Sequence, residues 1–99
     1  MVLITAVARE QLEALEAHYE KLGRDVAIVR MTEAIAMAAT RIEEQAGPFY
    51  PAPRPYPELA VYGWQWLKEA RYWVAFASFA DAYAITGIFF ETADIPSRI

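Results

Sequence analysis

The 99-residue sequence has no cysteine. That excludes disulfides and thiolate metal sites, and it is the usage expected of a cytoplasmic chain. Its single histidine, His18, falls on the flank of a helical stretch, where a lone histidine reads as surface or packing. The four glycines are scattered and form no loop that would cradle a phosphate. HExxH, CxxC and GxSxG arrangements are missing too, so no cofactor, metal or catalytic residue is expected. Glu43 and Glu44 are adjacent on a helix and point apart, which does not make an acid/base pair. No uncharged apolar run is long enough for a membrane span. The N-terminal MVLITAVAREQLEALE lacks a basic region and breaks at Arg9, so it does not read as a signal peptide. Cations are few: nine Lys and Arg against thirteen Asp and Glu give a net charge of -4. An overall footprint for direct, sequence-specific nucleic-acid binding is therefore missing.

What the chain has is apolar residues, 57% of the total. One domain of this length has a modest core, so some of that apolar surface is expected to face a partner. The stretch Trp64–Glu91, WQWLKEARYWVAFASFADAYAITGIFFE, carries all three tryptophans and organises the rest.

Read from the start, Val2–Ala8 is short, apolar and β-branched, which predicts a first strand buried in the sheet interior. Glu10–Leu22 places Leu12, Leu15, Tyr19 and Leu22 at helical spacing, with Glu13, Glu16 and Glu20 as a solvated flank. Gly23 suits the left-handed residue that ends a helix. Asp25 is a candidate N-cap for a second helix to about Gln45, with Ile28, Met31, Ile35, Ala38 and Ile42 as its core stripe. The short Gly23–Asp25 loop makes the two helices antiparallel neighbours. Val26 and Met37 lie off the core stripe and are candidates for a partner-binding face.

Gly47–Pro57, GPFYPAPRPYP, holds five of the six prolines. It reads as an extended connector whose Phe49, Tyr50 and Tyr56 fold back onto the body. Tyr62–Lys68 is the second strand, with Trp64, Trp66 and Lys68 on one face. Glu69-Ala70 turns into a third strand, Arg71–Phe79. Ala80-Asp81-Ala82 turns into a fourth, Tyr83–Glu91, in which Gly87 marks a bulge or a close approach. The expected fold is α+β, in the order β-α-α-β-β-β. A helical hairpin packs on a mostly antiparallel four-stranded sheet, and the partner and direction of the first strand stay open.

This order, the Pro57-Glu58-Leu59 connector, the hairpin KEARYWVAF and the ending ITGIFFETADIPSRI together resemble the ParE/RelE toxin superfamily. The resemblance spans nearly the whole chain. It implies a toxin of a bacterial type II toxin–antitoxin pair, neutralised in a hetero-oligomer with a ParD-like antitoxin. ParE-type toxins act on DNA gyrase; RelE-type toxins cut messenger RNA in the ribosome. Cleavage needs cations at the scissile phosphate. Trp73 stands where a RelE-type arginine is expected, and Tyr83–Phe90 has no Lys, Arg or His. That favours the gyrase branch over a ribonuclease. The tail departs from the family at Phe90-Glu91-Thr92, which leaves a non-toxic, antitoxin-binding homologue as an alternative. Lys68, Arg71, Glu91 and Arg98 are the candidates for the target-facing surface. Val26, Met37, Trp64 and Trp66, chosen by patterning alone, are the candidates for the antitoxin-facing one.

Overall fold

Side-chain alternation in one strand decides the architecture. In Tyr72–Phe79, the residues Tyr72, Val74 and Phe76 join one apolar cluster, and Trp73 and Ala75 join another. A strand apolar on both sides needs cover on both sides, and the chain supplies two different covers. The computed structural model describes residues 1–99. Its elements are β1 (Val2–Ile4), α1 (Ala6–Lys21), α2 (Asp25–Glu43), β2 (Gln65–Glu69), β3 (Tyr72–Phe79) and β4 (Ala82–Phe90). Short 3-10 turns cover Pro57–Tyr62 and Ile95–Arg98. The element order is the expected β-α-α-β-β-β. The sheet is mixed, in the order β1-β4-β3-β2, with β1 parallel to β4 and the other pairs antiparallel.

The first strand differs most from expectation. It has three residues and lies at the sheet edge instead of the interior. The Thr5 hydroxyl accepts from the Ala8 N–H at 3.2 Å and caps α1, so the apolar run divides between strand and helix. Ala8 then faces the core as a fully buried helical residue. Leu22, expected on the helix stripe, falls at the C-cap and is exposed. Gly23 is left-handed at φ 67°. Asp25 is the first residue of α2 and not its cap; Arg24 takes the cap position without a capping side chain. Met31, Ile35, Ala38 and Ile42 are buried as the stripe predicts, and α2 ends two residues early as Gln45 turns left-handed at φ 53°.

The helical hairpin covers one face of the sheet, sealing Leu67, Val74, Phe76, Ile85 and Ile88. The opposite face is covered by the proline-rich connector and the C-terminal tail. Ala52, Leu59 and Ile95 close over Trp66, Trp73, Ala75 and Phe89. Tyr50 makes a two-bond backbone bridge to Trp66, at 2.8 and 2.7 Å, and so caps part of the β2 edge. Phe49 packs against the hairpin-side core, and Tyr50 and Tyr56 against the other.

Both readings of Gly87 hold. The β3–β4 register slips between Ala75 and Phe76, leaving Thr86 without a partner beside Gly87. A Cβ on Gly87 would lie 2.6 Å from Phe89 Cε2. Phe89 is itself buried, so its ring has little room to move. Gly87→Ala is expected to destabilise the fold by about 1–3 kcal/mol, as overpacking does. Urea unfolding checks this, and an unchanged midpoint would mean that the ring moves freely.

Candidate functional site

Charges collect at the end of the sheet where β2 turns into β3. Glu69 pairs with Tyr72 across a two-residue turn, Ala70-Arg71. The turn throws Arg71 outward. Lys68 shares the face of Trp66, and its ammonium lies 5.6 Å from the Trp73 ring. Glu91 follows the end of β4, tied by its backbone N–H to the Arg71 carbonyl at 2.8 Å. Its carboxylate sits between the two cations. Lys68 Nζ donates to Oε2 at 3.0 Å, and Arg71 Nε donates to Oε1 at 2.8 Å. The Arg71 guanidinium also lies 4.8 Å over the Phe90 ring. Three of the four target-facing candidates thus form one cluster. Arg98 is not in it: it is exposed on the tail and makes no ion pair.

Arg41, which no sequence pattern singled out as a site residue, is the clamp behind this cluster. From the last turn of α2 it donates to the Glu69 carboxylate at 2.8 Å and to the Lys68 carbonyl at 3.0 Å. It also reaches the Ala46 and Pro48 carbonyls. One guanidinium therefore joins helix, strand and connector. Its only sequence signal was a cation in the last turn of a helix, a common place for one.

The hydrogen bond from Arg71, then that from Lys68, holds the Glu91 carboxyl below its ordinary value of 4.5. A carboxyl depressed in the folded state stabilises the fold above its unfolded value, and that contribution is lost as pH falls through the lower, folded one. Acid unfolding of Glu91→Gln is therefore expected to be less steep than that of the parent below pH 4.5. Parallel melts from pH 6 to pH 2 check this. Identical pH profiles would mean that the cluster stores no linkage.

The antitoxin-facing candidates separate. Val26 and Met37 are exposed on α2, at 63% and 52%, and so is Val29, one turn on from Val26. Trp64 is half-buried and stacks on Tyr62 at 5.1 Å. Trp66 is overturned as a contact residue: it is fully buried under the connector. Alternation had placed it correctly beside Trp64. It did not show that proline-rich chain would cover one tryptophan and leave the other at the rim. Beyond that cover the same sheet face is partly open, at Leu3 and Phe79, with Ala84 still buried. Leu3, Ala84 and Ala77 lie in register across three strands, and Phe79 beyond them is exposed.

No family model matches the chain, and no curated protein or solved structure matches it at a significant level.

Proposed function

We propose that this chain is the toxin of a bacterial type II toxin–antitoxin pair, acting in the cytoplasm by binding DNA gyrase and held inactive by a ParD-like antitoxin. The reading rests on the resemblance carried by KEARYWVAF and ITGIFFETADIPSRI. The β-α-α-β-β-β order, with its hairpin on one face of the sheet, agrees with it. The observation that favours binding over RNA cleavage is the state of the sheet's cations. Lys68 and Arg71 both already engage Glu91. β3 and β4 carry no Lys, Arg or His. The strands β3 and β4 thus offer a scissile phosphate no cation, and Glu91 already draws on the two beside their ends. Val26, Met37 and Trp64 are the proposed antitoxin contacts. Lys68, Arg71, Glu91 and Arg98 are the proposed target contacts.

The test is ATP-dependent supercoiling of relaxed plasmid by purified gyrase, with and without the folded protein. Products are examined for linear DNA after protease treatment. Inhibition with trapped cleaved DNA is the expected result. Full gyrase activity at a large protein excess would overturn the target. Cell-free translation then asks whether messages are cut.

A further inference from the structure

On the hairpin side of the sheet, a cleft of about 660 Å³ opens between the α1–α2 turn and the β2–β3 turn. Three of the chain's nine cations line it: Arg24, Arg30 and Arg71. Arg24 and Arg30 form no salt bridge. Arg71 gives only its Nε edge to Glu91, which leaves both terminal nitrogens without a protein acceptor. Asp25 is the one carboxylate in the lining. The walls therefore carry a net charge of +2 in a chain whose net charge is -4.

Tyr19 and Tyr72 also line the cleft, and their hydroxyls are joined by a 2.7 Å hydrogen bond. These residues are only 6% and 5% exposed. Two hydroxyls hold two hydrogens, and the bond between them uses one. No other protein acceptor receives the second. Burial first, and then the bond to Tyr19, pushes the Tyr72 hydroxyl well above its ordinary value, so it remains a protonated donor at neutral pH. A buried donor without an acceptor is costly, and here it adjoins unpaired guanidinium groups. Both Arg24 and Arg71 are close enough to act on the Tyr72 hydroxyl electrostatically. The cleft also opens at the N-terminus of the 19-residue α2, whose cap residue supplies no side-chain acceptor; that end of a helix favours negative charge.

We propose that this cleft binds a phosphate monoester. Its dianion would lie between Arg24, Arg30 and Arg71 and accept the spare tyrosine hydrogen. Three guanidinium groups against one lining carboxylate suit an anion with several oxygens. Guanidinium forks suit phosphate oxygens. The volume exceeds that of a bare ion and falls within the range of small-molecule sites, so the ester's organic part has room. The site borders the surface proposed for the antitoxin at Val26 and shares Arg71 with the one proposed for the target.

The test is calorimetric titration of the full chain at constant ionic strength with inorganic phosphate, O-phosphoserine and adenosine monophosphate. One saturable site is expected. Arg24→Gln combined with Arg30→Gln is expected to weaken it about tenfold or more. Tyr19→Phe combined with Tyr72→Phe, which removes both hydroxyl donors, is expected to weaken it roughly fivefold. Thermal melts establish that the variants are folded. The tightest of the three ligands identifies whether the phosphate is free, protein-borne or on a nucleotide. Absence of saturable binding would overturn the proposal. So would binding unchanged in the double arginine variant, which would mean an adventitious ion only.

Discussion

Trp66→Ala is expected to destabilise the protein by about 3–5 kcal/mol, the range for removing a large aromatic side chain from a core. A domain of this size has about 5–15 kcal/mol in total. The midpoint of thermal unfolding would fall by roughly 15–30 °C. The reason lies in the second core. Trp66 is fully buried and stacks on Phe89 at 5.9 Å. It also contacts Trp64, with ring centroids 6.1 Å apart, and its backbone carries the bridge to Tyr50. Without the indole, the connector closes over a void. The indole Nε1–H has no hydrogen-bond partner, so Trp66→Phe loses area but also removes an unmade bond. It is expected to cost less than about 1.5 kcal/mol. Trp64→Ala, at the rim, should cost less than either buried truncation. Denaturant unfolding of the three variants orders them. Equal losses for Trp64→Ala and Trp66→Ala would mean that the connector does not seal the face.

That contrast also marks how far the sequence could be read. Helical stripes and strand alternation are local patterns, and they placed α2, β2, β3, β4 and both turns to within a few residues. They could not show which face a proline-rich segment would choose. The connector's contacts are tertiary, and its one regular backbone interaction is a single bridge. β1 was misjudged because Val2–Ala8 is apolar except at Thr5. Periodicity does not divide such a run, and the Thr5 cap that does divide it is one residue inside it. The target-side candidates Lys68, Arg71 and Glu91 were chosen separately along the chain. They meet because a two-residue turn and the end of β4 lie side by side, a consequence of register. Arg98 shares no strand with them, so nothing in the register brings it to the cluster. The Tyr19–Tyr72 pair joins residues 53 positions apart and leaves no trace in local patterning. Tyr19 looked like one more core position on a helix.

If the proposed toxin function holds, the tail is expected to separate folding from toxicity. Ile95 is fully buried in the second core, whereas Arg98, three residues on, is exposed and makes no hydrogen bond to a protein partner. Ile95→Ala should therefore cost about 2–5 kcal/mol and reduce growth inhibition only as far as it reduces the folded fraction. Arg98→Ala should leave stability within about 0.5 kcal/mol of the parent. If the tail faces the target, it should still abolish growth inhibition in cells lacking the antitoxin. Removal of 94–99 combines both losses, so it cannot tell them apart and is useful only beside the point variants. Melting curves and plating efficiency measured on the same three variants give the decision. A folded Arg98→Ala that remains fully toxic would remove the tail from the target-facing surface. The Lys68–Glu91–Arg71 cluster would then be the only proposed contact, and Glu91→Gln the next variant to plate. Loss of toxicity in Arg98→Ala with an unchanged melt would place a functional cation at the edge of a strap whose buried residue holds the second core closed.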